Sequence, residues 1–159
     1  MTRWFALALV LLAGCAGDGR GLVPGQSTEA DVLAAMGTPK EKRKGTAAGE
    51  TVLWFPRLPH GRASYAARIG ADGRLISVEQ RLTRENLNRL EPGVSQESDV
   101  RDLLGPPSAV ETFPRLQRRA WSYQTQGIEP QLIIVQFSAD GFVREAYMID
   151  DPDFVSPGE

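Results

Sequence analysis

The sequence contains one segment twice, and this duplication restricts the chain to a fold that can be built from two similar units. Residues 22–73 are repeated, in the same order of motifs, by residues 90–141. The motifs of the first copy are Pro24-Gly25, Ser27, Asp31-Val32, Gly37 and Pro39. Each motif recurs in the second copy after the same number of residues, which is the separation between Pro24 and Pro92. We call this separation the repeat offset. We therefore expect two pseudo-repeats, one at 15–82 and one at 83–159.

The strand tryptophans deviate from the repeat offset. Trp54 and Trp121 are closer together than that offset by a single position, so aligning them removes one residue before the tryptophan and restores it before the Asp-Gly turn. On this alignment each tryptophan packs its own sheet onto its own helix. Phe55 and Tyr123 lie beside the tryptophans and differ between the copies. We expect them at the surface, where aromatic residues form contact sites.

Each copy reads as a helix followed by a meander of three strands. Ser27 or Thr28 caps the first helix and Ser95 the second, and an Asp-Gly pair joins the last two strands of each copy. A further helix at 83–90, capped by Thr83, precedes the second copy. The first copy has only a glycine-rich tether there. The predicted class is α+β, with two tandem αα-βββ units, a reduced first helix in the first unit, and antiparallel three-stranded sheets. Because each sheet is too small to be stable alone, the copies should share a buried seam or a continuous sheet.

The amino terminus carries a secretion pattern. Arg3 precedes an apolar run at 4–12 that is too short to span a bilayer, and Leu12-Ala13-Gly14-Cys15 follows. This resembles a bacterial lipoprotein signal at 1–14, with lipidation of Cys15, the only cysteine of the chain. The alternatives are a buried helix, or a cleaved secretory signal with a chance cysteine. Ala16 and Gly17 follow Cys15, and the absence of an aspartate at the next position indicates the outer membrane.

The ordered motifs together with this signal resemble the SmpA/OmlA family, also called BamE. Its members are small outer-membrane lipoproteins, and their αα-βββ fold is shared, in tandem, with the β-lactamase inhibitor protein. The resemblance implies a lipid-anchored scaffold on the periplasmic face of the outer membrane that assists β-barrel assembly or envelope integrity. It also implies binding to proteins of the β-barrel assembly machinery or to other envelope proteins, and to anionic phospholipid. The alternative is an inhibitor-type module that binds a periplasmic enzyme.

Catalytic chemistry finds little support in the sequence. His60 has no second histidine or a nearby cysteine with which to build a metal site or a triad. The acidic group at Asp150, Asp151 and Asp153 lacks the glycine and glutamate of a calcium loop. A net charge of −2 provides no positive electrostatic field that would attract nucleic acid. We therefore expect a protein that is not an enzyme and that has no cofactor and no metal.

Two basic stretches are the candidate contact surface. Each is either a solvated charged loop leading into a strand or an attraction site for acidic proteins and anionic headgroups. The candidate contact residues are Lys40, Lys42, Arg43, Lys44, Arg115, Arg118, Arg119, Phe55 and Tyr123.

The signal leads to a direct test. Cells fed a clickable fatty-acid analogue should label the wild-type chain and should not label Cys15→Ser, because acylation requires the thiol. The measurement is in-gel fluorescence of the immunoprecipitated protein. An unlabelled wild-type chain would show that the segment is not a lipoprotein signal.

Overall fold

The computed structural model describes residues 17–58, 62–126 and 130–153. The predicted signal at 1–14, the lipidation site Cys15 and the single histidine His60 lie outside these residues. Within them, a helix followed by a four-stranded antiparallel sheet occurs twice in succession. We call residues 17–82 the N-terminal half and residues 83–153 the C-terminal half.

The N-terminal half contains one helix and one meander. Its elements are α1 (Glu29–Met36), β1 (Glu41–Lys44), β2 (Thr51–Pro56), β3 (Ser64–Ile69) and β4 (Leu75–Gln80). The strands pair in chain order and form sheet 1.

The C-terminal half adds a short helix before the same arrangement. Its elements are α2 (Arg84–Leu87), α3 (Glu97–Leu104), β5 (Ala109–Phe113), β6 (Arg118–Gln124), β7 (Gln131–Ser138) and β8 (Val143–Asp150). One turn of 3-10 helix, Pro114–Leu116, separates β5 from β6. The strands form sheet 2, again in chain order. The predicted cap of α2 is confirmed, because Thr83 Oγ1 accepts a hydrogen bond from the Asn86 amide at 3.2 Å.

The α+β class is confirmed, but the prediction of three-stranded sheets is wrong. Each sheet has an additional edge strand, β1 or β5, directly after its helix. Neither segment has the buried alternation that marks a strand in sequence, because β1 reads Glu-Lys-Arg-Lys and β5 is exposed throughout. Charged side chains at a sheet edge also discourage pairing with another chain. The stretch at Lys40–Lys44, expected as a loop, is therefore mostly an edge strand.

The aspartate of each repeated Asp-Val motif caps the start of a main helix, and the repeated serine closes the loop before it. Asp31 Oδ2 accepts from the Thr28 amide at 2.8 Å, and Asp99 Oδ2 accepts from the Gln96 amide at 2.7 Å. The following valines are fully buried. Ser95, expected as a cap, instead accepts from the Glu91 amide at 2.9 Å and closes the Pro-Gly loop, so Gln96 takes the N-cap position.

Each half buries its own apolar cluster between its main helix and one sheet face. The cluster of the N-terminal half is Val32, Met36, Leu53, Phe55, Ala67, Ile69 and Leu75. The cluster of the C-terminal half is Leu87, Leu90, Val100, Leu104, Trp121, Tyr123, Ile133, Val135, Phe137 and Val143, and it is joined by Leu82, the last residue of the N-terminal half.

The strand register overturns the predicted alignment of the tryptophans. Leu53 pairs with Ala67 in sheet 1, and the repeat offset carries this pair to Trp121 and Val135, which pair in sheet 2. Trp121 therefore corresponds to Leu53, and the offset continues without a gap. A shift of one residue moves a side chain to the other face of a sheet. Trp54 consequently faces away from α1, whereas Trp121 packs on its own helix as predicted.

The packing of Trp121 predicts a large loss of stability on truncation. Its ring contacts Phe137 edge-on with centroids 4.8 Å apart, and it is 5% exposed. Trp121→Ala should lower the free energy of unfolding by about 3–5 kcal/mol. Ser122→Ala, one position along on the opposite face, should change it by less than about 0.5 kcal/mol. Urea denaturation followed by circular dichroism measures both, and equal effects would contradict this core.

Candidate functional site at the seam between the halves

Trp54 joins the two halves. Its side chain is 2% exposed although it faces away from α1. The ring lies against Gly105, which follows α3, and a Cβ at Gly105 would overlap Cε3 and Cζ3 of the indole. Gly105 has a φ of +83°, a conformation that other residues seldom adopt. The glycine thus both ends the helix and admits the ring, and the halves share a buried seam while their sheets remain separate.

Arginines on both sides of the seam tie α3 to sheet 1. The guanidinium of Arg101 pairs with Glu41 at 2.5 Å, and that of Arg43 lies 3.0 Å from Asp102. Arg101 also lies over the Trp121 ring, 5.4 Å from its centroid. These contacts connect the core of the C-terminal half to the edge strand of sheet 1.

Arg81 binds the end of α3 from the other side. Its Nε donates to the Leu103 carbonyl at 3.0 Å, and it pairs with Glu79 at 2.6 Å. The carbonyls of the last turn of a helix carry partial negative charge and lack partners within the helix, so a guanidinium stabilises them.

A second link lies at the far end of the sheets. The guanidinium of Arg62 pairs with the buried Asp151, and its Nε donates to the Thr125 carbonyl at 3.1 Å. The hydrogen bond from Arg62 lowers the pKa of the Asp151 carboxyl. Asp151, which the sequence groups with Asp150 and Asp153, is therefore a structural partner of the N-terminal half.

A groove of about 530 Å³ opens between sheet 1 and α3. Its lining includes Trp54 and five basic residues, which are Arg43, Lys44, Arg68, Arg81 and Arg89. Three acids also line it, which are Glu50, Asp99 and Asp102. The hydrogen bond from Arg68 lowers the pKa of Glu50. Among the described residues, Lys44 and Arg89 have no acidic group within salt-bridge distance, so positive charge remains open in the groove.

Several of the predicted basic contact residues are neutralised within the fold. Lys42 pairs with Glu29 at 2.7 Å, and Arg119 pairs with Glu97. Arg118 donates to Gln136 at 3.2 Å. The remaining predicted cations, Lys40, Lys44 and Arg115, are exposed. In the described part of the chain they form no salt bridge.

The structure does not bring the two basic stretches together. Lys40–Lys44 runs along the edge of sheet 1, whereas Arg115 lies in the 3-10 turn of the other sheet. Arg43 and Lys44 line the seam groove, whereas Arg118 and Arg119 line a separate hollow beside Phe113. The single contact surface that the sequence predicts is therefore at least two surfaces.

The expected surface position of the two aromatic residues is wrong. Phe55 is 2% exposed and Tyr123 is 1% exposed, and the two occupy equivalent positions in the two cores. The Tyr123 hydroxyl donates to the Gly105 carbonyl at 3.2 Å, and burial raises the pKa of this phenol. Both side chains face the helix because each lies two residues after a core residue on the same strand face.

Sequence reasoning missed the residues that build the seam. Arg62, Arg81 and Arg101 bridge the halves, yet no motif distinguishes them from solvated arginines. A signal did exist for Trp54, because an unbroken repeat offset aligns it with Ser122, a polar position of an outward face. In the described residues no group of three or more His, Cys, Asp or Glu side chains is arranged to hold a metal ion. No helix there is long and apolar enough to cross a bilayer.

Gly105 provides a test of the seam. Gly105→Ala should destabilise the protein by about 1–2 kcal/mol through its positive φ, and by roughly 1–3 kcal/mol more through overlap with Trp54. Gly93→Ala is the matched control, since Gly93 has a φ of +76° and open space around its Cα. In a Trp54→Leu background the additional cost at Gly105 should largely disappear. Chemical denaturation of the four variants measures this, and equal costs at the two glycines would contradict the contact.

Part of the chain is similar to a known protein family. Residues 80–147, from the end of β4 into β8, match the outer membrane protein assembly factor BamE domain. No curated protein matches the chain. One similar solved structure is a DUF4309 family protein (YjgB) from Bacillus subtilis subsp. subtilis str. 168, with 19% identity and a TM-score of 0.34. That match covers 85% of this chain and 86% of the other. The predicted family resemblance is thus confirmed for residues 80–147, which are similar to the BamE domain.

Proposed function

We propose that this chain is a lipid-anchored accessory factor on the periplasmic face of the outer membrane. It acts by binding, catalyses no reaction, and supports assembly of β-barrel proteins or envelope integrity. The observation that carries this proposal is the BamE domain at residues 80–147, whose family description names outer-membrane protein assembly.

The N-terminal half is proposed to be a second unit of the same kind. Its strand pairs recur in sheet 2 at the repeat offset, including the Glu41↔Trp54 pair, which becomes Ala109↔Ser122. The register shift between β3 and β4 recurs between β7 and β8. Such agreement in register and irregularities supports duplication of one unit.

The proposed anchor would hold the N-terminal half close to the bilayer. The Gly17 amide donates to the Ala35 carbonyl at 3.0 Å, and Arg57 donates to the Gly17 carbonyl. Gly17 is therefore fixed to the end of α1. Only two residue steps separate it from Cys15, a span of about 7 Å at most. A lipid on Cys15 would leave little freedom between membrane and fold.

The seam groove is the proposed contact site for an acidic partner. Lys44 and Arg89 contribute positive charge there that the described acids do not neutralise, and Trp54 provides an apolar floor. Acidic segments of envelope proteins and anionic phospholipid headgroups both fit such a surface. Binding there would also bridge the two halves, because Lys44 belongs to one and Arg89 to the other.

Absence of catalysis is supported by how the fold uses its polar groups. The hydroxyls of Ser27 and Ser95, the serines of the repeated motif, accept backbone hydrogen bonds in the Pro-Gly loops. The buried acids Glu50 and Asp151 pair with arginines. These groups are engaged in holding the structure.

Charge reversal in the groove tests the proposal. Lys44→Glu with Arg89→Glu should leave the fold intact, because both side chains are exposed. The change should reduce co-purification of barrel-assembly proteins from solubilised membranes several-fold, most strongly at low salt. Arg115→Glu with Arg144→Glu makes the same charge change outside the groove and should retain the partners.

The outcomes separate the alternatives. Equal losses in the two double variants would show a net-charge effect and would remove the groove as the site. Capture of a soluble periplasmic enzyme as the main partner would favour the inhibitor-type module. Unchanged levels of outer-membrane barrels in a strain that lacks the protein would contradict the assembly role.

A further inference from the structure

The two sheets differ in what covers the face that points away from their own helix. On sheet 1 that face is covered by the end of α3, with Gly105 against Trp54. On sheet 2, α3 packs on the opposite face, and Ala109 and Tyr147 at the equivalent positions are exposed. We call this uncovered surface the open face of sheet 2.

One cross-strand row of the open face is free of charge where the equivalent row of the covered face carries two acids, while the next row of the open face carries Glu111 and Glu145. On sheet 1 one cross-strand row reads Glu41, Trp54, Ala66 and Glu79. The equivalent row of sheet 2 reads Ala109, Ser122, Ile134 and Tyr147. Tyr147 is 36% exposed, and Ile149 beside it is 41% exposed. Large apolar side chains left open on a sheet face indicate a contact surface.

Helix α1 has exposed apolar residues at the positions that α3 uses to contact sheet 1. The residues of α3 that pair with sheet 1 are Arg101 and Asp102. Their equivalents in the first copy are Leu33, which is 38% exposed, and Ala34, which is also exposed. The glycine that follows α1, Gly37, has a φ of +85° and so repeats the backbone conformation of Gly105, with Ser122 in place of Trp54 at the equivalent position of sheet 2.

The two open surfaces have changed together at one of the two ion-pair positions of the seam. The Glu41–Arg101 ion pair of the seam corresponds to Ala109 and Leu33, which are both apolar. The Arg43–Asp102 pair corresponds to Glu111 and Ala34, so Glu111 keeps its charge at the edge of this position. Loss of charge on both sides of one position is expected where the two surfaces meet each other, since a single lost partner would leave the other unpaired.

We propose that the open face of sheet 2 in one copy of the chain binds helix α1 of a second copy, head to tail. The contact repeats the geometry of the internal seam, with apolar burial in place of its ion pairs. Because the two surfaces differ, the interface is heterologous and can continue from copy to copy along the membrane.

Thiol cross-linking tests this arrangement in membranes. Leu33→Cys and Ala109→Cys variants of the full chain are expressed separately and together, then treated with a short bismaleimide. Co-expression should yield a cross-linked heterodimer, and each variant alone should yield none. The single chain that carries both cysteines should yield a ladder. Ala71→Cys, at an exposed turn, replaces Leu33→Cys as the matched control and should give no product with Ala109→Cys.

A second change checks that the product depends on the apolar face. Ile134→Lys in the Ala109→Cys chain should abolish the heterodimer while the amount of protein in the membrane stays constant. Dimers from either variant alone at equal yield would indicate a symmetric contact and overturn the proposal. Absence of product on co-expression would overturn it as well. Neither readout depends on an assembly partner, so failure here is distinct from failure of the proposed function.

Discussion

The contact between Trp54 and Gly105 is the interaction on which the joined form of the protein depends. Each sheet can bury only one face against its own helix, and the outward face of sheet 1 would otherwise expose an indole. A buried tryptophan contributes roughly 150–250 Å² of covered surface. Gly105 makes this burial possible because a side chain at that position would occupy the space of the ring. The ion pairs of Arg101 and Arg43 lie beside this contact and fix its orientation.

The repeated motifs serve the fold and not a chemical reaction. The aspartates of the Asp-Val pairs begin the helices, and the serines close the loops before them. These bonds require only residues three or four positions apart, so duplication preserves them. Core positions vary among apolar residues, as at Leu53 and Trp121, whereas on the outward faces one copy has ion pairs at a position where the other has apolar side chains. Specific contacts are therefore placed where the repeat is broken.

The two halves also differ in their expected relation to the membrane. Gly17 is bound to the end of α1, so an anchor on Cys15 would set the N-terminal half at the bilayer surface. Residues 80–147, which match the BamE domain, lie almost entirely in the other half. The seam groove, with Lys44 on one side and Arg89 on the other, lies between them. A partner bound there would contact both units at once.

Much of the local structure could be predicted from the sequence. The two main helices, six of the eight strands and the Asp-Gly turns agree with the predicted elements because caps, turns and alternation act over a few residues. The edge strands β1 and β5 could not be predicted, because their pairing depends on a neighbouring strand and leaves no apolar alternation. The candidate site was predicted less well. Lys44 remains available, but Lys42 and Arg119 are paired, and Phe55 and Tyr123 are buried.

The sequence by itself determined the repeat offset, the helix starts and the turns, since the starts and turns rest on hydrogen bonds between near neighbours. Only the tertiary structure decided which face Trp54 occupies. A one-residue change of alignment reverses the face of a strand residue, and the contact that selects between the two faces comes from Gly105, in the other half of the chain. The same separation in sequence explains the arginines, because the acids and carbonyls that bind them belong to the other half.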